Sequence, residues 1–165
     1  MTRDDLPGRG QPGAPAAFGL RAAARIIDLV IVLLPANALA AAVGNTTDGR
    51  FQAPVWVLLV FPITFVVYET VLVSRSGQTL GKLLCRLKVV EWRNGDLPTL
   101  REAFFRAMVP GVFLFGYLMF PPMLLLVPLV YLSSIADRLQ RGIHDKVADT
   151  IELYAPPLVR ERFAD

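Results

Sequence analysis

Apolar residues along this chain gather into long runs, parted by short stretches where charges and turn formers concentrate. The first run, from about Leu20 to Val43, is long enough to cross a hydrocarbon core as a helix, with Pro35 inside it. The second, Val55 to Val73, is 19 residues interrupted only by Glu69 and bent at Pro62. Between them Asn45 to Gln52 reads as a short polar loop. The third, Ala107 to Ala136, is 30 residues without a formal charge. As one straight helix it reaches about 45 Å, past a hydrocarbon core of about 30 Å, and Pro121-Pro122 breaks it. The pattern therefore predicts two arms, Phe104 to Phe120 and Met123 to Ala136, folded as a hairpin. Each arm is short for a full crossing, so a re-entrant form stays open. The fold class expected is an all-α integral membrane protein: two full transmembrane helices plus a proline-split hydrophobic hairpin, four membrane segments in all.

Smaller elements fill the polar stretches. Leu80, Leu83, Leu84 and Leu87 recur at helical spacing while Lys82 and Arg86 take the other side, which predicts a short amphipathic helix in the cytoplasmic headgroup layer. Leu87 to Trp92 alternates and Asn94-Gly95 marks a turn, so a small strand is expected, with Ile151 to Tyr154 as its partner. Residues 1 to 17 carry Pro7, Pro12 and Pro15 without an apolar period and read as a disordered cytoplasmic tail. Residues 18 to 153 then form one membrane domain and 154 to 165 a second cytoplasmic tail. A cleaved leader is disfavoured, although residues 36 to 42 are alanine-rich: the opening residues are acidic as well as basic and Asp28 interrupts the apolar core.

Composition supports one membrane domain and no separate soluble one: 54% of the 165 residues are hydrophobic and 19% charged, with mean hydropathy +0.48. The net charge is +3, but the basic residues flank apolar runs and do not form an aromatic-studded face. That favours a bilayer with anionic headgroups as partner and argues against nucleic acid. The single cysteine, Cys85, excludes a disulfide within the sequence, and one histidine with one thiol excludes a zinc site of those ligands alone. No metal and no cofactor is expected. Of the 17 Lys and Arg residues only Arg50 falls in the loop between the first two runs. The N-terminal tail, the 74 to 106 region and the C-terminal tail carry the others outside the first run. The positive-inside rule then predicts a multi-pass plasma-membrane protein with both termini cytoplasmic.

Charges inside the apolar runs are the candidate chemistry. Arg21, Arg25 and Asp28 share one narrow helical face, Arg25 about 40° and Asp28 about 20° to either side of Arg21. Entering from the cytoplasm near Leu20, Arg25 lies about 7 Å deep and Asp28 about 12 Å, and Glu69 returns to about 7 Å from the same surface. Arg106 opens the third run at that level. A polar cluster of Arg21, Arg25, Asp28, Glu69 and Arg106 is therefore expected in the cytoplasmic half of the membrane, since burying any one alone costs a few kcal/mol. One reading is an ion-pair network that fixes helix packing, favoured by arginines at hand to neutralise the acids. The other is a path in which Asp28 or Glu69 binds a cation or proton; a carrier more often leaves a carboxylate uncompensated.

Two motifs fall short of an activity. The interfacial loop Gly77, Gln78, Thr79, Gly81, Lys82 is one residue short of phosphate-loop spacing, and Leu83 stands where a magnesium-binding hydroxyl belongs. Its mechanical role is a tight exit from the second helix, with Lys82 reaching a lipid phosphate or a cytosolic-end carbonyl. His144-Asp145 lacks a nucleophile placed to join it, so no enzyme activity and no catalytic residue is expected. Asp145 is expected instead to pair with the basic loop around Lys82 and Arg86. Cys85 reads as a small apolar filler, with acylation the alternative.

Arg21 seven residues before Asp28, then GQTLGK at 77 to 82, then Arg141, Gly142, Ile143, His144, Asp145, Lys146 and Thr150 together resemble the RDD family of small bacterial membrane proteins. The resemblance runs from about Phe18 to Leu153. It makes Arg21, Asp28 and Asp145 the arginine and two aspartates for which the family is named. It implies transport of an unidentified ligand, sodium/proton antiport among the activities proposed for members. So few helices hardly enclose a pathway, so a carrier of this size implies a homo-oligomer. The alternative is a non-catalytic membrane scaffold or assembly factor that holds a membrane-protein partner or anionic lipid on its basic face.

Overall fold

The computed structural model describes residues 7, 11–47, 50–52, 54–117, 120–137 and 139–155. Its first two apolar runs are helices α1 (Phe18–Val43) and α2 (Val55–Ser76). Among the described residues these two are long and apolar enough to cross a membrane, with mean hydropathy 2.3 and 2.1. Only 17% and 39% of their most apolar windows are buried against the rest of the protein, which leaves broad faces for lipid, where the core helix of a soluble protein would be mostly covered. Pro35 and Pro62 both lie inside these helices without ending them.

The loop between them is a miniature hairpin, β1 (Asn45–Thr47) antiparallel to β2 (Arg50–Gln52), where the sequence predicts loop. After α2, Gly77 takes the left-handed conformation (φ 73°) and donates its N–H to Val73 O, the αL stop that glycine provides most cheaply. Helix α3 (Leu80–Leu84) follows, then strand β3 (Leu87–Glu91). Strand β4 (Thr150–Tyr154) pairs antiparallel with β3, Val89 opposite Glu152, so the strand and partner predicted from alternation are both present.

Helix α4 (Leu100–Gly116) starts four residues ahead of the predicted Phe104, because Thr99 and Glu102 form a capping box that satisfies its first N–H groups. The hairpin's second arm is also shorter than predicted: a 3₁₀ turn at Pro121–Leu125 leads into α5 (Leu126–Leu132). It stops where the Ser133 and Ser134 hydroxyls donate to Val130 O and Tyr131 O and compete with the helix ladder. Helix α6 (Ile143–Val147) then leads into β4.

The tail predicted over 1 to 17 ends earlier than its inner boundary. Residues 13 to 16 run alongside β4, with Gly13 N–H donating to Tyr154 O, Tyr154 N–H to Ala14 O and Ala16 N–H to Glu152 O. Ala14 and Ala16 are fully buried there, small enough to let this segment lie flat on the strand. Tyr154, predicted to begin the second tail, is the last residue of β4; residues 1–6, 8–10 and 156–165 lie outside the described residues.

Packing divides into a membrane part and a cap. Val32, Phe65, Val66, Ala107 and Leu114 form the core among α1, α2 and α4. Val73, Val89 and Ala103 join α2 and α4 to β3, and Val90, Ile151 and Leu153 fill the far side of the small sheet. The buried charges lie at this junction.

Candidate functional site

β4 alternates, so Ile151 and Leu153 face the apolar side of the cap while Thr150 and Glu152 face the helices. The first turns of α1 bring Arg21 and Arg25 to the same place, α2 brings Glu69, α3 brings Lys82, α4 brings Arg106 and α6 brings Asp145. All seven charged side chains are buried.

They pair in a connected set. Arg25 forks onto Glu69, Nη1 to Oε2 and Nη2 to Oε1, both at 2.8 Å, while its guanidinium lies over the Tyr131 ring at 4.6 Å. Lys82 Nζ donates to Glu69 Oε1 at 3.1 Å, and Arg106 Nε stands 3.7 Å from the same oxygen. Arg21 Nε donates to Glu152 Oε2 at 2.6 Å and its Nη2 to Asp145. Arg106 Nη1 donates to Asp145 and, at 3.0 Å, to Thr150 Oγ1; Arg106 Nη2 is 3.5 Å from Glu152 Oε2. Asp145 also accepts the Gly142 N–H at 2.9 Å, closing the turn into α6.

Burial by itself would drive both cap carboxylates toward the neutral acid. For Asp145, the charges of Arg106 and Arg21 reverse this and hold it well below the ordinary range; for Glu152, those of Arg21, Lys82 and Arg106 reverse it and lower the carboxyl from its ordinary value. Burial lowers the Lys82 ammonium from its ordinary value, with Glu69 opposing. His144, buried beside Asp145 and against the Tyr131 ring, is pushed down to about 3, first by burial, and among the described residues neither ring nitrogen has a hydrogen-bond partner. It is a neutral filler at neutral pH and not an acid/base partner of Asp145.

Asp28 differs from the other three buried carboxylates. Fully buried, it accepts from Tyr68 Oη at 2.7 Å, Thr79 Oγ1 at 2.5 Å and Gly81 N–H at 2.8 Å, all neutral donors. Among the described residues no cation forms a salt bridge with it. The position depends on Gly81: a Cβ there would stand 2.1 Å from Ala24 O and 2.9 Å from the Asp28 carboxylate, so α3 could not approach α1. Thr79 has two tasks, capping α3 and donating its hydroxyl to Asp28.

The predicted cluster therefore divides. Arg21, Arg25, Glu69 and Arg106 meet in one network, while Asp28 sits beside it in a pocket of its own. Depth counting places Asp28 with Arg106, but Gly81 of α3, its N-cap Thr79 and Tyr68 of α2 supply the donors instead. Lys82 was assigned to lipid phosphate or a carbonyl; it is 2% exposed and turned inward to Glu69. Asp145 was assigned to the Lys82 and Arg86 loop; it meets Arg21 and Arg106 because α6 packs on α4. Of the interfacial loop, Gly77 stops α2, Gln78 Nε2 donates to Leu87 O at 2.7 Å, and Thr79 and Gly81 serve Asp28. Glu152 and Tyr68 were missed. The signal for Glu152 was present, since it shares parity with Thr150 in a strand whose other face is apolar.

No solved structure matches this chain. It is similar to the Uncharacterized protein YckC of Bacillus subtilis (strain 168), 25% identical over 151 residues that make up 92% of each chain. The RDD family model matches residues 15–149, a span that takes in Arg21, Asp28 and Asp145 and every charge of the network except Glu152, so the chain belongs to the RDD family.

Proposed function

We propose that this protein is a multi-pass plasma-membrane protein with four membrane segments and both termini cytoplasmic, and that it moves a cation or another small ligand with Asp28 as the exchanging carboxylate. One observation carries the reading: Asp28 is buried and held only by neutral donors, two of them hydroxyls. A guanidinium has no lone pair to offer a metal cation, whereas Tyr68 and Thr79 can donate to a bare carboxylate or turn an oxygen lone pair to a bound cation. A homo-oligomer supplies the helices that one copy lacks.

The scaffold reading keeps a specific support as well. The seven-charge network ties α1, α2, α3, α4 and α6 to β4, which is what an ion-pair lock for packing does. Reconstituted vesicles with a pH-sensitive dye inside, given a sodium jump, separate the two. Wild type is expected to move protons against sodium, and Asp28→Asn to lose that flux at unchanged abundance. Absence of flux from wild type at high protein density sinks sodium/proton antiport through Asp28 and favours the scaffold.

A further inference from the structure

A second feature lies outside the charge network, where the first turn of α1 meets the α3–β3 junction. It is a cleft of about 530 Å³ whose walls include Leu20, Leu84, Arg86, Gln140 and Tyr154. Among the described residues, two of the three non-glycine residues with positive φ, Arg86 and Gln140, both at 57°, line this one cleft. Backbone held in that region concentrates where a side chain must be aimed at a ligand. Arg86 is exposed, and among the described residues no carboxylate pairs with it. Among the described residues the buried Gln140 amide oxygen has no hydrogen-bond partner.

The depth of the cleft follows from α3. Leu80, Leu83 and Leu84 are 46, 56 and 70% exposed on a helix of five residues, while Lys82 on the opposite side is turned into the protein. Three outward leucines on one short helix belong in the boundary between headgroups and acyl chains. Leu20, at the start of an apolar helix able to span, sits at the same boundary.

We infer that this cleft binds the phosphodiester headgroup of an anionic membrane phospholipid. The Arg86 guanidinium takes two phosphate oxygens in its fork, the Gln140 amide oxygen accepts from a hydroxyl of the headgroup, as phosphatidylglycerol carries, and Leu20 and Leu84 cover the first acyl carbons. The site rests on the membrane placement proposed above and is independent of any flux through Asp28.

Native mass spectrometry of the full chain, released from nanodiscs of equal phosphatidylglycerol and phosphatidylcholine with the same acyl chains, tests it. Wild type is expected to retain one phosphatidylglycerol in preference to phosphatidylcholine. Arg86→Asn keeps a residue that tolerates positive φ and is expected to lose that preference about tenfold. Leu84→Gln, on an exposed surface, is expected to weaken retention of both lipids. Arg75→Gln removes an exposed cation at the end of α2, outside the cleft, and is expected to change nothing. Equal retention by Arg86→Asn overturns the site, and an equal loss in Arg75→Gln overturns it too by showing diffuse charge attraction. A wild-type chain that stays in solution without lipid or detergent fails the membrane placement itself, a separate result.

Discussion

At the scale of single residues, the buried polar groups fall into those with partners and those without. Asp28, Glu69, Asp145 and Glu152 each have at least one donor, which is what permits four carboxylates at so little exposure. His144 has none, and that makes a prediction. Its imidazole faces Asp145, Arg106, Arg21 and Arg25 and lies against Tyr131, and its folded pKa is about 3 against an ordinary 6.5. As pH falls below 6.5 the unfolded chain takes up this proton first, so stability drops steadily until pH nears 3, by about 1.4 kcal/mol per pH unit at most. His144→Phe abolishes that slope and strands no hydrogen-bond partner. Thermal unfolding in micelles, followed by tryptophan fluorescence, is expected to show the variant matching wild type at pH 7.5 and exceeding it at pH 5.5. A wild-type midpoint that does not move between those pH values contradicts a buried neutral histidine.

Sequence reading reached these residues unevenly. Arg21, Arg25 and Asp28 announce themselves as charges on one face of an apolar run, and Glu69 and Arg106 follow from depth. Pairing did not follow, because it depends on which element slides between two others. Gly81 illustrates this: a sequence reader sees a permissive residue in a loop, whereas the fold uses its missing side chain to seat α3 on Ala24 O and hand Asp28 an N–H. Lys82 was misjudged for a related reason. A lysine beside outward leucines was given to the lipid side of the interface, yet the same helix period that turns the leucines out turns Lys82 in.

At the scale of elements, ends were less legible than middles. The apolar middles of α1 and α2 are plain in the sequence, while α4 begins at a polar box ahead of its apolar run. Thr99 with Glu102 three positions later is a sequence pattern that identifies this start. Because Thr99 accepts the Glu102 N–H and Glu102 returns the favour to the Thr99 N–H, the pair orients α4 as it delivers Arg106 to the network. Thr99→Ala is expected to cost about 1 kcal/mol of stability with flux or lipid retention per folded molecule unchanged. Thermal unfolding beside a folded-fraction assay checks both parts. A Thr99→Ala protein that is as stable as wild type removes the cap from any role in setting α4.

At the scale of the whole molecule the buried acidic and basic side chains of the described residues are equal in number. Arg21, Arg25, Lys82 and Arg106 face Asp28, Glu69, Asp145 and Glu152, with His144 neutral at physiological pH. Without Asp28 the paired core carries one excess positive charge. Asp28 supplies the fourth carboxyl of this set although, among the described residues, no salt bridge reaches it. This links the two parts of the site: the network sets the electrostatic background around the Asp28 carboxylate.

That background can be tested without touching Asp28. Lys82 and Glu152 lie 4.0 Å apart, one on α3 and one on β4; Lys82 also pairs with Glu69, Glu152 with Arg21 and Arg106, and Arg106 reaches Glu69 as well. Removing either alone leaves a net charge in a dry interior: Lys82→Met strands part of Glu69, and Glu152→Gln leaves Arg21 and Arg106 short of an anion. Each single change is expected to cost roughly 3 kcal/mol or more. The double variant restores neutrality, so its loss is expected to fall short of the two single losses summed by about 1 to 3 kcal/mol. Unfolding of all four proteins in one detergent at one pH closes the cycle. Strict additivity would mean that cap and membrane helices are held by separate pairs, and that α3 and β4 join through apolar packing alone.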